Sequence, residues 1–291
     1  MKIIKYFFEF IIVITLFIFF KLIGKKNASD IGCNLTRLLG SLFRPTKKIE
    51  DNLNLAFPKL NQSQQKKIIN DMWCNFGRTF AEYVFLNEFR KKTNIVKVEG
   101  MDILHSAINS NKPTVFISGH FANFELMAME LEKNNANIAA IYRPLNNKFL
   151  NPIMEYWRKK FICPNQIPKN IPGTKNDGTR QFIKAAKNNM NIAVMVDQSI
   201  TQGKKINFFN HEAYTTLIPA QLFLKYNYQI IPIHLERIQN HYFTMTIYAP
   251  MKLDKSIDNE ISITKKINQI IESMINKNPS QWIWTHNRWK S

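Results

Sequence analysis

Within Thr114-Val115-Phe116-Ile117-Ser118-Gly119-His120-Phe121-Ala122-Asn123-Phe124-Glu125 an imidazole and a carboxylate stand five positions apart, where an apolar run gives way to a helical pattern. Attack of a hydroxyl on a thioester needs a base that works near neutral pH, and an imidazole with an unperturbed pKa of about 6.5 supplies one. On this reading Glu125 holds the second ring nitrogen of His120, fixes its tautomer and stabilises the imidazolium that forms. A His followed by a Glu is common in itself. The ends of strands in α/β sheets are where ligands bind, and that placement favours chemistry over a structural role.

Other polar groups stand at similar places. Arg143 follows an apolar run in Tyr142-Arg143-Pro144, either as a solvated charge or as a grip on a phosphate or carbonyl oxygen. Arg158 lies in Tyr156-Trp157-Arg158-Lys159-Lys160, a cluster of the kind that a wet helical face carries. Val194-Met195-Val196-Asp197-Gln198 ends a buried run in a carboxylate and an amide, which suits a site but also a turn or cap. Gly203-Lys204-Lys205-Ile206-Asn207-Phe208-Phe209-Asn210 reads as a loop whose two rings either press on lipid or tuck back into the core. The six histidines show no metal-ligand spacing, so no metal is expected.

These residues need a scaffold. Residues 30–87 read as helices broken at Arg44-Pro45 and Phe57-Pro58, with Ile68, Ile69, Met72, Trp73, Phe76, Phe80, Tyr83 and Val84 as a core face. Beyond Asn94 short apolar runs alternate with amphipathic stretches. Runs at 95–98, 114–118, 138–142, 192–196, 230–234 and 242–247 predict strands; stretches near 101–109, 121–134, 147–161, 177–189 and 215–226 predict helices. Such alternation is that of an α/β fold with a mostly parallel central sheet flanked by helices. Residues 163–176 and 199–210 are left as long loops.

From Ile3 to Ile23 the chain is almost wholly apolar, about the length of a membrane span, and no small-x-small cleavage site comes after it. The expected organisation is an N-terminal membrane anchor (1–26) and a catalytic domain (27–291), made of a helical lead-in (27–93) and an α/β core (94–291). Removal of the anchor is expected to leave the chemistry intact. Lysines flank the apolar stretch on both sides, and Glu9 lies within it, so spanning and interfacial placements both stay open. Forty basic against twenty-one acidic residues give a net charge of +19, which calls for an anionic partner: nucleic acid, a membrane surface, an acidic protein or a phosphorylated substrate. No nucleic-acid-binding motif supports the first. Cys33, Cys74 and Cys163, odd in number and without C-x-x-C spacing, read as reduced thiols in a cytosolic setting.

The order Gly-His-Phe-Ala-Asn-Phe-Glu, Tyr-Arg-Pro, Val-Asp-Gln and Phe-Phe, ending in Gln281-Trp282-Ile283-Trp284-Thr285-His286-Asn287-Arg288-Trp289-Lys290, resembles the lipid A late acyltransferases, the lauroyl and myristoyl transferases. The resemblance includes Asn52-Leu53-Asn54-Leu55-Ala56-Phe57-Pro58 and the apolar N-terminus, and so spans nearly the whole chain. It implies a glycerolipid-acyltransferase-like α/β fold on the cytoplasmic face of a Gram-negative inner membrane. The implied reaction takes a fatty acyl chain from acyl carrier protein, as co-substrate and with no further cofactor, to a hydroxyl of a lipid A precursor. His120 and Glu125 match the family's H-x-x-x-x-(D/E) dyad; Arg158, Asp197, Arg143 and Asn123 are carried over as substrate-binding. Implied partners are acyl carrier protein, the precursor and anionic inner-membrane lipids. Two alternatives remain: a glycerol-phosphate or lysophospholipid acyltransferase, whose Glu-Gly-Thr-Arg block is half imitated by Asp177-Gly178-Thr179-Arg180, and a catalytically inactive membrane-associated relative.

Overall fold

A computed structural model describes residues 2–169, 177–200 and 202–290, with the side chain of Phe43 excepted. Helices lead the chain: α1 (Lys2–Ile23), α2 (Lys25–Phe43), α3 (Thr46–Ala56), α4 (Gln62–Glu82) and, after the turn Tyr83–Phe85, α5 (Leu86–Lys91). Gly24, at φ 80°, separates α1 from α2, and Pro45 separates α2 from α3. Asn61 opens α4 with a capping box shared with Gln64.

The α/β part continues as β1 (Val96–Glu99), α6 (Met101–Asn109), β2 (Thr114–Ser118), α7 (Glu125–Lys133), β3 (Ile138–Tyr142) and α8 (Leu150–Trp157). A wider helical turn, Arg158–Ile162, extends α8. Then come β4 (Asn165–Pro168), α9 (Gly178–Lys187), β5 (Asn191–Met195), β6 (Lys204–Phe208), β7 (His211–Thr215), α10 (Ile218–Tyr226), β8 (Gln229–Gln239), β9 (Tyr242–Ile247) and α11 (Glu260–Lys277). Seven strands form one sheet in the order β1-β9-β8-β2-β5-β3-β4. Every neighbouring pair is parallel except β8 with β9. All five residues of β2 are buried, as a central strand covered on both faces must be. Phe116 points into the layer with Leu126 of α7, whereas Val115 and Ile117 face the layer that holds α11, Trp282 and Trp284.

Three features depart from the sequence reading. Residues 204–215 are the antiparallel hairpin β6–β7, turned by Phe209 and Asn210 at φ 50° and 62°, the left-handed pair of a two-residue hairpin turn. Phe208 and Phe209 are buried there against Trp289 and Phe57, so the two rings form no lipid-facing loop. Residues 165–168 are a strand, and the rest of that expected loop, 170–176, lies outside the described residues. Cys33 and Cys74 are joined in a disulfide rather than free, while Cys163 is a buried thiol. The cause is helix packing: Gly32 and Gly77 abut backbone to backbone, which draws α2 and α4 close enough for the two sulfurs to meet. That pairing removes the cysteine argument for a cytosolic setting.

Helix α1 is long and apolar enough to cross a membrane, with a mean hydropathy of 2.4 and only 11% of its span buried. Its outward side chains, Ile4, Phe8, Ile12, Phe19 and Leu22 among them, are exposed. The inward side is not free. Phe17 and Phe20 are buried against Phe80, and Phe17 also packs on Trp157. Glu9 is held by Lys5 and by Asn147, whose amide also reaches the Tyr6 carbonyl at 2.8 Å. Helix α1 is therefore packed on the rest of the chain along one side and turns its apolar other side outward. Deleting residues 1–23 is expected to leave an insoluble or poorly folded product even in detergent, because Phe80 and Trp157 lose their cover; size-exclusion chromatography of the truncated and full-length proteins checks this.

Candidate active site

β2 and β5 are parallel neighbours with Ser118 opposite Met195, so the residues just beyond each strand arrive at the same carboxyl edge. Two residues on from each lie His120 and Asp197. The Nδ1 of His120 is 2.8 Å from Oδ1 of Asp197, and the His120 backbone N–H donates to Oδ2 at 2.8 Å. Trp282 Nε1 donates to the same Oδ2 at 2.7 Å. Gly119 makes this approach possible, since a Cβ there would lie 2.7 Å from the Phe121 ring and 3.3 Å from the Asp197 carboxyl carbon. Burial alone would push the Asp197 pKa up; the His120 charge and the hydrogen bonds from His120 and Trp282 more than reverse it, and hold the carboxyl well below the usual carboxylate range. An ionised Asp197 on Nδ1 leaves Nε2 as the proton acceptor. Gln198 Nε2 stands 3.4 Å from that nitrogen.

The carboxylate on the His120 ring is thus Asp197, not the Glu125 that the five-residue spacing suggests. Glu125 opens α7 and is taken up by Arg158, which donates to Oε1 through Nε at 3.0 Å and Nη2 at 2.6 Å. The Tyr83 hydroxyl also donates to Glu125 Oε1 and accepts from Arg158 Nη2 at 3.0 Å. Sequence spacing could not show this, because Ala122, at φ 46°, redirects the chain between His120 and the helix. Burial, and then the Glu125 charge, push the Tyr83 phenol above its ordinary range. For Arg158, burial acts downward but the Glu125 charge and Tyr83 outweigh it, and the guanidinium stays charged.

Asn123 was expected to meet substrate, yet it is buried to 1% exposure and gives its amide to Glu82 Oε2 at 2.9 Å. The same left-handed turn sends it inward. Glu82, fully buried, is clasped by both terminal nitrogens of Arg237. Asn75 and Thr79 of α4 bind the Ala122 carbonyl at 3.3 and 3.1 Å, so this network sets the loop that carries His120.

Two cavities meet at the site. One, of about 380 Å³, is lined by His120, Gln198, Glu125, Arg143, Arg158 and Lys169. The other, of about 290 Å³ and almost wholly apolar, runs between α1 and α4 and is lined by Val13, Phe17, Met72, Phe76, Phe80 and Met154. Phe124, Leu145 and Arg158 belong to both. Among the described residues no cluster of His, Cys, Asp or Glu could hold a metal. The amides of His120, Phe121 and Ala122 are all occupied, by Asp197, Gly119 and Gln281, so the first amides after the imidazole are not open to an oxyanion.

The Trp-rich end closes the site, a role the sequence did not disclose. Trp282 bridges to Phe121, and Asn52 binds the carbonyls of Trp284 and His286, each at 2.8 Å. The Ser199 N–H donates to His286 Nε2 at 2.9 Å. Burial holds His286, His234 and His241 each at a pKa of about 4, below the ordinary 6.5. As pH falls through 6.5 the unfolded chain takes up protons at these residues while the folded one does not, so stability is expected to decline between pH 6.5 and 4. Urea midpoints at pH 7 and 5 check the direction, and His286→Gln, which keeps an acceptor, is expected to flatten the slope.

A mostly parallel sheet carrying an imidazole–carboxylate pair at its carboxyl edge, with the imidazole on the wall of a cationic cavity that adjoins an apolar one, has the build of an α/β enzyme. Its class is fixed by comparison: the chain belongs to the bacterial lipid A biosynthesis acyltransferases, whose family pattern matches residues 1–291, and it is an acyltransferase. Lipid A biosynthesis acyltransferase 2 of Shigella flexneri is 23% identical over 262 residues, spanning 85% of this chain and 79% of the relative. The lipid A biosynthesis lauroyltransferase of Escherichia coli K12 is 21% identical over 267 residues, spanning 90% and 84%. A 1-acyl-sn-glycerophosphate acyltransferase structure from Thermotoga maritima covers 85% of this chain and 99% of its own, at 15% identity and a TM-score of 0.40, a likeness too slight to argue from.

Proposed function

We propose that this acyltransferase moves a fatty acyl chain from an acyl carrier protein thioester to a hydroxyl of a lipid A precursor, at the cytoplasmic face of the inner membrane. The observation that supports it most is the place of His120 on the wall of the cationic cavity, which shares Phe124, Leu145 and Arg158 with the apolar one. The apolar cavity takes the acyl chain, and the cationic one takes polar parts of the substrates. The acceptor hydroxyl gives its proton to His120 Nε2 as its oxygen attacks the thioester carbonyl; the imidazolium is stabilised by Asp197. Arg158, with Nε and Nη2 spent on Glu125 and Tyr83, presents Nη1 to the developing oxyanion. Glu125 acts by fixing Arg158. Collapse of the tetrahedral intermediate expels the carrier's thiolate, which takes the proton from His120. The +19 charge attracts the acidic carrier and anionic lipids.

The test is transfer by the full-length protein in detergent, with acyl carrier protein thioester as donor, read by mass spectrometry as one added acyl chain on the precursor. The rate is expected to fall steeply from low to physiological salt, as the Debye length shrinks to about 8 Å. Acylation of glycerol phosphate but not of the precursor would overturn the proposal.

A further inference from the structure

We propose that Lys169, together with Arg143, forms a phosphate-binding subsite in the cationic cavity, taking a phosphate ester carried by one of the substrates. This deepens the acyl-transfer reading and rests on it. Tyr142 of β3 pairs with Pro168 of β4, and the Lys169 N–H donates to the Tyr142 carbonyl at 2.7 Å. Arg143 and Lys169 are therefore the next positions of two parallel strands, side by side at the carboxyl edge that also carries His120. Both line the same cavity as His120.

The charge balance of that cavity is uneven. Arg158 is matched by Glu125, and Asp197 is committed to His120 and Trp282. Among the described residues neither Arg143 nor Lys169 makes an ion pair. Burial, and after it the nearby Arg143 charge, push the Lys169 pKa down, opposed by Asp197. Two neighbouring cations that share no ion pair, Lys169 largely withdrawn from water, repel one another across the cavity, and an anion between them relieves both costs at once. The ammonium and the guanidinium together offer the donors that the oxygens of a phosphate accept. Two substrate phosphates qualify: one on the sugar of the acceptor, and the phosphodiester of the acyl carrier's prosthetic arm.

The experiment compares wild type, Lys169→Gln and Lys169→Arg as full-length proteins in detergent. Each is assayed with the acceptor with and without its phosphate, and with the acyl donor as carrier-protein thioester or as a short thioester lacking phosphate. For Lys169→Gln the KM of the phosphate-bearing substrate is expected to rise about 10–100-fold, the usual weight of a charge-assisted hydrogen bond. The KM of the phosphate-free counterpart should not move, and Lys169→Arg should retain most of the affinity. Whichever substrate shows the difference supplies the phosphate. An equal change with and without phosphate, or no change at all, overturns the subsite. Inorganic pyrophosphate, titrated calorimetrically at constant ionic strength, tests the cavity without turnover: wild type should bind it and Lys169→Gln at least about tenfold more weakly. Equal binding by the two, or none by wild type, counts against the subsite; a wild type that binds pyrophosphate but transfers no acyl chain counts against the acyl-transfer reading instead.

Discussion

Replacing His120 by Ala is expected to lower acyl transfer about 10²–10⁴-fold while the protein stays folded, because the imidazole is the proposed base and its ring, on the wall of the cationic cavity, is not a core element. Asp197→Asn should cost almost as much. Its amide cannot stabilise the imidazolium, and an NH₂ facing Nδ1 favours the tautomer with its proton on Nε2, where a free electron pair is needed. Glu125→Gln acts differently: it uncouples Arg158 and Tyr83 and leaves the His120–Asp197 pair in place. Single-turnover rates for the three variants check the assignment. A Glu125→Gln loss that matched His120→Ala, beside an Asp197→Asn rate near wild type, would return the ring-holding role to Glu125.

The second large effect is on stability. Glu82 is fully buried and Arg237 nearly so, and each leaves a naked charge in the interior if its partner is removed. Arg237→Ala or Glu82→Ala is expected to destabilise the fold by about 3–5 kcal/mol, measured by urea denaturation in detergent. Removing both together as Arg237→Met with Glu82→Leu should cost less than either truncation alone. Transfer should still fall in that double variant, because Asn123 loses its hydrogen bond to Glu82 and the loop below His120 loses a support.

Most of the sheet was legible because its strands are unbroken apolar runs: 114–118, 138–142 and 242–247 match β2, β3 and β9 in the structure. The hairpin β6–β7 was not, since Lys204, Lys205, His211 and Glu212 give it a polar outer face and Phe209 is an unusual residue for a left-handed turn. The four-residue spacing of Ile263, Ile267, Ile271 and Ile275 gives α11 an equally regular apolar face. At the site, strand ends pointed to His120, Arg143 and Asp197 together. What they could not say is which carboxylate meets the ring. That depends on the 2.8 Å contact between the ends of β2 and β5, a through-space fact, whereas the five-residue spacing to Glu125 is a through-chain one. Lys169 carried no motif, and only the register of β3 with β4 brings it beside Arg143.

The contact of Trp282 with Asp197 also orders events in time. Chain growth at roughly 5–20 residues/s brings Trp282 out of the ribosome about 8–30 s after His120. The apolar α1 is made first and can reach the bilayer long before that. Until residue 282 has been added, the nascent chain holds an imidazole and a carboxylate but lacks the indole that fixes the carboxylate's second oxygen. The apolar helix is thus finished well before the site is, and a chain that stops short of Trp282 would carry α1 without a completed imidazole–carboxylate pair.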